Sequence, residues 1–271
     1  MNRTIFFKAF FLITGIMLHL TSCEKSGLEN ETDKNIPPSD QEKIIITGEV
    51  VDIDSNIYKT VAIGKQVWMA ENLRTTSYSD STAIGFPDGD NELWATSTEG
   101  AYAWYNNEEL NKDFYGAVYN WYAVVDARNI CPTGWRIPNN TDWELLESYL
   151  KKEYSISNHR DSINGLGNKL KSCRQVASPL GDGCNTTVDP RWRLHSIHYG
   201  TDDFGFSALP EGSRNTSGGY ISNPGSYGHW WSSTSSSPEE AIVRYITYDH
   251  GALFRTAASK KNGYSVRCIK N

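Results

Sequence analysis

The sequence predicts an α+β domain with a small antiparallel sheet, few helices and long ordered loops. Three observations lead to this fold class. Apolar and polar residues alternate in short runs bounded by turn residues, and one central segment has the spacing of an amphipathic helix. The second half is rich in Gly, Ser, Asn and aromatic residues and has only brief strand patterns. Strands and helices that do not alternate regularly along a chain are typical of α+β domains.

The N-terminus has the pattern of a bacterial lipoprotein signal. Arg3 and Lys8 give a positive start, and the apolar run 9–20 is too short to span a bilayer comfortably. The sequence LTSC at 20–23 resembles a lipobox, which predicts cleavage after residue 22 and lipidation of Cys23. The acyl chains would then anchor the protein in membrane lipid, at about 0.8 kcal/mol per buried methylene. The alternative is a plain secretory signal with a chance cysteine.

We expect the rest of the chain to lie outside the cytoplasm. Glu24 is unlike an inner-membrane retention signal, which favours the outer membrane, facing either the periplasm or the cell surface. The net charge of −6 argues against nucleic-acid binding, which needs a basic surface. Residues after Cys23 are charged and polar and predict a solvated tether. The predicted organisation is a signal peptide at 1–22, a tether at 23–43 and a folded domain at 44–271.

The first part of the domain predicts short strands. Residues 44–73 alternate in polarity around Asp54-Ser55-Asn56 and Gly64-Lys65, which indicates antiparallel strands joined by tight turns. Residues 75–113 predict mostly loops with one or two strands. The apolar run 115–124 is too short for its periodicity to distinguish a buried strand from a short buried helix.

The stretch CPTGWRIPNNTDWELLESYL at 131–150 predicts a turn followed by a helix. Asn139 can cap that helix, and Asp142 adds negative charge to its first turn. Trp143, Leu146 and Leu150 recur at helical spacing, so one face should pack inward. Further along, residues 166–172 predict a second short helix, and 241–249 and 264–271 predict strands.

Four of the five cysteines follow the lipidation site, and an even number in an oxidising compartment indicates two disulfides. Three pairings are possible. Cys173 and Cys184 lie close together in a turn-rich stretch, which favours a local pair and leaves Cys131 with Cys268. The alternative is a zinc site, although the C-x-x-C spacing typical of such sites is absent.

Several motifs appear in an order that resembles the Fibrobacter succinogenes major paralogous domain, a family of predicted secreted proteins and lipoproteins. The likeness covers most of residues 44–271. The motifs are VVDIDSNIYKTVAIGKQVWMAENL, YGAVYNWYAV, CPTGWRIPNNTDWELL, NKLKS, FGFSALPEGSR, WWSST and YSVRCIKN. Two features depart from the family: Asp54-Ser55-Asn56 stands where a turn glycine is more usual, and Cys173 and Cys184 are not part of its pattern.

That family in turn resembles the C-type lectin-like fold and the formylglycine-generating (sulfatase-modifying) fold. The resemblance implies two short helices on a small twisted antiparallel sheet, with the N- and C-terminal strands close together. It also implies that a Cys131–Cys268 bridge ties the first helix to the last strand. Trp135 and Trp143 would be packed, and Arg136 would bond to backbone carbonyls.

No catalytic residues are predicted, and we expect the protein not to be an enzyme. Cys131 and Cys268 lie in structural motifs, so the resemblance to formylglycine-generating enzymes does not imply that activity for this chain. Neither a G-x-S-x-G elbow nor a phosphate-binding glycine loop is present. Paired carboxylates could hydrolyse glycosides. However, the candidates Asp202, Asp203 and Glu211 are expected to cap turns and to pair with Arg214.

Neither a metal site nor a cofactor is predicted. His195 and His198 are three residues apart, a spacing that could share a metal on a helix, but they lie in a predicted loop. The stretch from Asp88 to Glu92 resembles half of a calcium loop, with Leu93 in place of the glycine that the sharp turn needs. The sugar-binding triplets of C-type lectins are absent as well.

The nine Trp and fifteen Tyr residues are the remaining candidates for binding. Aromatic faces stack on sugar rings and also build protein interfaces. Trp230 and Trp231 are adjacent, so on a strand one should face inward and the other outward. The framework tryptophans expected in the core are Trp68, Trp104, Trp121, Trp135 and Trp143. The predicted contact surface comprises Trp192, His198, Tyr199, Arg214, Tyr220, Tyr227, His229 and Trp231. Alternatively, these residues cover a core poor in aliphatics.

The sequence thus favours a lipid-anchored, disulfide-tied, non-catalytic binding module outside the cell. Glycan or polysaccharide is the first hypothesis, resting mainly on fold analogy. A protein-binding or structural component of the envelope is the second, and an enzyme with an unrecognised site is the third. A groove with polar and aromatic side chains would favour glycan, a flat apolar patch would favour protein, and a deep pocket with convergent titratable groups would favour an enzyme.

Overall fold

A computed structural model describes residues 47–221 and 225–271. Several predictions lie outside the described residues: the signal peptide, the lipidation of Cys23, the tether and the domain boundary at residue 44. In the part that is described, no helix has the length and apolar character needed to cross a membrane.

The described residues form an α+β fold whose sheets are antiparallel. The largest sheet has five strands in the order β1-β2-β3-β12-β6, so the last strand of the chain pairs between β3 and β6. The strands are β1 Thr47–Val51, β2 Ile57–Ile63, β3 Gln66–Met69, β6 Trp135–Arg136 and β12 Ile269–Lys270. The predicted hairpins at 44–73 are confirmed. The left-handed residue in the first turn is Ser55 (φ 67°) rather than Asn56, and Gly64 (φ 62°) makes the second turn.

A second sheet has three strands in the order β11-β10-β9, and two small hairpins complete the strand inventory of the described residues. Only β10 was predicted, because β9 and β11 mix polar, aromatic and small residues without regular alternation. The three strands are β9 Tyr227–Ser235, β10 Glu240–Thr247 and β11 Phe254–Ser259. The small hairpins pair β4 Tyr102–Trp104 with β5 Ala117–Tyr119, and β7 Ser213–Arg214 with β8 Tyr220–Ile221.

Both predicted helices are present, as α4 Asn140–Tyr154 and α5 Leu166–Leu170. Residues 75–113 contain more helix than predicted, and the apolar run 115–124 contains both a strand and a helical turn, β5 and α3. The side chain of Asn120 ends the strand and caps that turn by accepting from the N–H of Ala123. The remaining helices are α1 Asn91–Thr96, α2 Lys112–Tyr115 and α3 Trp121–Val124, and 3₁₀ turns lie at Tyr105–Asn107, Glu109–Asn111 and Gly181–Gly183.

Helix α4 begins as its sequence predicts. The side chain of Asn139 accepts from the N–H of Asp142, and the Asp142 carboxylate accepts in return from the N–H of Asn139. Asp142 also holds Arg136 through two bonds of 2.5 and 2.8 Å. The expectation that Arg136 bonds mainly to backbone carbonyls is therefore wrong, because the first turn of α4 places a carboxylate within reach of both terminal nitrogens.

The two disulfides are Cys131–Cys268 and Cys173–Cys184, with sequence separations of 137 and 11 residues. The first joins the segment before β6 to the residue before β12, so it reinforces two strands that already pair. The second closes a local loop. Both pairings agree with the sequence prediction.

The three-stranded sheet lies between two hydrophobic clusters. Trp231 and Val243 belong to one, while Trp230 and Ile246 belong to the other together with the inner face of α4. Successive side chains of a strand point to opposite faces, and here both faces are covered. The expectation that one of the two adjacent tryptophans faces outward is therefore wrong. The five framework tryptophans are buried as predicted.

Candidate functional site

Four residues of the predicted contact surface are buried. Trp192, Arg214 and Trp231 are each 0% exposed and His198 is 7% exposed, so their predicted placement on a surface is wrong. The indole of Trp192 donates to the carbonyl of Ala208, and that of Trp231 donates to the carbonyl of Tyr119. Each indole buries its ring and satisfies its only donor internally, which is the usual arrangement for a core tryptophan.

Arg214 is held by neutral partners. Its guanidinium lies 4.6 Å from the ring of Trp94, and its terminal nitrogens donate to the side-chain oxygens of Asn107 and Asn91. The predicted pairing of Arg214 with the nearby carboxylates is therefore corrected. Asp203 pairs instead with Lys169 at 2.9 Å, and Asp202 accepts from the backbone and hydroxyl of Ser207.

The other predicted contact residues are spread over the molecule. Tyr220 is half-buried, and its hydroxyl donates to the carbonyl of Trp104. Tyr199 is half-buried, and Tyr227 is 40% exposed. The structure brings Tyr227 and His229 together, with rings that stack at 5.7 Å, and it places Tyr220 directly opposite the buried Arg214 on β8 and β7.

Tyr227 and His229 belong to a row of aromatic rings across the three-stranded sheet. His229, Tyr245 and Phe254 are directly opposite one another on β9, β10 and β11, and Tyr264 covers the far side of His229. Neighbouring rings lie 4.9–5.7 Å apart with planes within 27° of parallel. Because each ring covers the face of the next, this row offers ring edges rather than the open face on which a sugar ring stacks.

Polar residues of the family-like motifs form a buried network. The side-chain oxygen of Asn72 accepts from the indole of Trp230 and from Nε of Arg267, both at 2.9 Å. Arg267 also donates to the carbonyls of Phe206 and Ser207. Burial raises the pKa of Glu211 to about 8 and lowers the pKa of Arg267 to about 10. These residues join separate segments inside the core, so the motifs account for architecture rather than for a ligand site.

Lys171 connects the loop that carries His198 to the β10–β11 connection. Its side chain is fully buried, and Nζ donates to the carbonyls of His198, Thr247, Tyr248 and His250 at 2.5–3.4 Å. Burial lowers the pKa of this lysine to about 7. The lysine thus holds in place the connection that leads into β11.

His195 and His198 are not arranged as metal ligands. Their rings stack at 5.0 Å, and Nδ1 of His195 accepts from the backbone N–H of His198. Asp90, at the suggested calcium tip, caps α1 by accepting from the N–H of Leu93. Within residues 47–221 and 225–271, no group of three or more His, Cys, Asp or Glu side chains could hold a metal ion.

An open groove of about 560 Å³ lies between α4 and the β10–β11 hairpin. We name it the α4–β10 groove. Helix α4 supplies one wall, and the hairpin with the two residues before β11 supplies the other. Its lining residues are Glu144, Glu147, Ser148, Asn158, Arg244, Ala252, Leu253, Phe254 and Arg255.

Two arginines dominate the chemistry of this groove. Arg244 and Arg255 are directly opposite each other on β10 and β11, and both donate to the side-chain oxygen of Asn140, at 2.9 and 3.0 Å. Arg244 is only 2% exposed, and its Nε is buried without a hydrogen-bond partner among the described residues. A buried donor without a partner is uncommon in folded proteins and needs an explanation.

The groove walls are held by their own hydrogen bonds. The side chain of Asn158 exchanges two bonds with the backbone of Leu253, at 2.8 and 3.0 Å, which fixes the hairpin wall. On the helix wall, the amide of Asn140 donates to Glu144 at 2.6 Å. The polar groups therefore have set positions before any ligand arrives, which lowers the entropic cost of binding.

Sequence reasoning did not find this groove. The sequence predicts α4 and a strand at 241–249, but it does not show that Glu144 and Glu147 on the helix lie beside Arg244 on the strand. The sequence feature that points to the groove is Arg244, which lies inside the apolar pattern AIVRYITYD. A charged side chain in a buried strand needs a partner or a function.

Comparisons with known proteins identify a family. No curated protein and no solved structure matches the chain. A family scan matches residues 61–270 to the Fibrobacter succinogenes major domain. The match spans well over half of the sequence and includes the end of β2, β3, α4, the three-stranded sheet and β12. The chain belongs to the Fibrobacter succinogenes major domain family.

Proposed function

We propose that this protein is a non-catalytic carbohydrate-binding module of the cell envelope and that a glycan binds in the α4–β10 groove. The observation that carries the proposal is the composition of the groove. Guanidinium, carboxylate and amide groups from Arg244, Arg255, Glu144 and Asn158 converge on an open channel. Sugar hydroxyls donate and accept at once, so they are suited to such a mixture of fixed donors and acceptors.

The shape of the groove also favours an extended glycan over a small substrate. The groove is open to solvent, as binding of a polysaccharide chain requires, whereas small ligands usually lie in enclosed pockets. We further propose that lipidation at Cys23 anchors the chain in the outer membrane and that the lectin-like resemblance reflects this role.

Binding can be tested with the purified full chain in mild detergent on a broad glycan and polysaccharide array. We expect a reproducible hit that Arg255→Met and Glu144→Gln each weaken by about tenfold, the scale of one charge-assisted hydrogen bond. Lys152→Met is the matched control, since Lys152 is 84% exposed on α4 and does not line the groove. A hit that survives both groove variants would contradict this site.

A blank array would favour a protein partner instead. The observation that supports this second candidate is a pocket of about 300 Å³ lined in part by Phe86, Pro87 and Leu93. Phe86 and Leu93 are 40% and 54% exposed, and exposed apolar side chains grouped around a pocket are typical of protein contacts.

A further inference from the structure

We infer that the ligand of the α4–β10 groove carries a carboxylate, as in a polysaccharide of uronic acids, and that Arg244 and Arg255 bind this group together. This inference rests on the proposed function and names its substrate class. It depends on three properties of the arginine pair: its shared acceptor, the sharing of the nearby carboxylates with other groups, and the exposed guanidinium of Arg255.

The two guanidinium groups share one neutral acceptor. Both bond to the side-chain oxygen of Asn140, which brings two positive charges onto a single atom. Burial and the charge of Arg255 lower the pKa of Arg244, while Glu147 raises it. Two like charges held side by side, one of them buried, are costly unless an anion lies between them.

The carboxylates of the groove are shared with other groups. Glu147 lies 3.6 Å from Arg244, and its other oxygen is 3.4 Å from the exposed Lys151. Glu144 accepts a hydrogen bond from the amide of Asn140. The charged residues that line the groove are two arginines and two glutamates, and among the described residues neither glutamate forms an ion pair with the exposed Arg255. Arg255 is therefore the cation of the groove that is most open to an anionic group of a ligand.

The free donors suit a planar anion. Nε of Arg244 is buried without a partner among the described residues, and Arg255 is exposed beside it with only its Nε bonded to Asn140. Guanidinium forks match the two oxygens of a carboxylate, and such bidentate bonds are among the strongest that side chains make. A carboxylate on a sugar ring would reach this pair while the ring lies along the open channel.

The test compares ligands that differ only at the carboxylate. The full chain is titrated with polygalacturonate, alginate, fully methyl-esterified polygalacturonate and dextran sulfate. We expect the free acid to bind at least about tenfold more tightly than its ester, as one charge-assisted pair implies. Arg255→Met should abolish this preference, Arg255→Lys should retain only part of it, and Lys152→Met should leave it unchanged.

Each outcome has a separate meaning. Equal binding of acid and ester would overturn the carboxylate inference and leave the glycan proposal standing. Equal binding of dextran sulfate and polygalacturonate by the wild type would show that the site recognises negative charge in general. That result would also overturn the carboxylate inference. If none of the four polymers binds and the array is blank, the proposed function itself fails. Circular dichroism of each variant shows that loss of binding is not loss of fold.

Discussion

The pKa of Glu211 is strongly changed by its buried position in this fold. Its side chain is 2% exposed, and one carboxyl oxygen accepts from the backbone N–H of His229 at 2.7 Å. Burial raises its pKa from the ordinary 4.5 to about 8, although Arg267 nearby acts in the opposite direction. The carboxyl group is therefore protonated in the folded protein at pH values where an unfolded chain would ionise it.

This difference predicts a pH-dependent stability. Between pH 4.5 and about 8 the folded state holds a proton on Glu211 that the unfolded state releases, so the contribution of this residue to the free energy of unfolding falls as the pH rises through that window. One such group contributes a slope of up to about 1.4 kcal/mol per pH unit. Glu211→Gln should remove this contribution, which urea unfolding at pH 5 and pH 8 would measure.

The control for this measurement is Glu144→Gln. Glu144 is exposed on α4, so its variant should keep the wild-type dependence. The same decline with pH in Glu211→Gln as in the wild type would show that another group is responsible.

At the scale of elements, the start of α4 depends on a local capping interaction. Asn139→Ala removes the oxygen that accepts from the N–H of Asp142, and the loss of such a cap costs about 1 kcal/mol. We expect a decrease of that size in the free energy of unfolding, measured by urea titration. Asn139→Ser keeps a capping oxygen and should retain most of the stability. Equal losses in the two variants would mean that the cap oxygen is not what stabilises this turn.

The helices and strands differ in how well the sequence predicts them. Helix α4 was predicted because its cap, its first-turn acid and its apolar spacing are all local. The pattern of residues 115–124 does not distinguish a strand from a helix, because the run contains both. It changes from strand to helical turn at Asn120, within one apolar stretch. Strand β9 was missed because its polar and aromatic residues, Tyr227–Ser235, gain their regularity only from the strands that pair with them.

For the whole molecule, the two disulfides should differ in their effect on stability. In the chain-entropy model a closed loop of 137 residues stabilises by about 5 kcal/mol and one of 11 residues by about 3 kcal/mol. Replacing Cys131 and Cys268 together by alanine should therefore lower the free energy of unfolding more than the same change at Cys173 and Cys184. Denaturant unfolding of the two double variants measures this, and the reverse order would contradict the loop-length argument.

Local pattern, turn chemistry and residue count predict the α+β fold class, the first hairpins, helices α4 and α5 and both cysteine pairings. These are properties of neighbouring residues, so they can be read from the chain alone. The burial of Trp192, Trp231 and Arg214 depends instead on a sheet covered on both faces and on contacts between distant segments. The α4–β10 groove likewise exists only because a helix near residue 147 packs beside strands near residue 244. No local pattern shows that Arg244 and Arg255 are paired on neighbouring strands, or that the glutamates of α4 lie opposite them. Tertiary packing alone determines this arrangement, because it joins segments about a hundred residues apart in the chain.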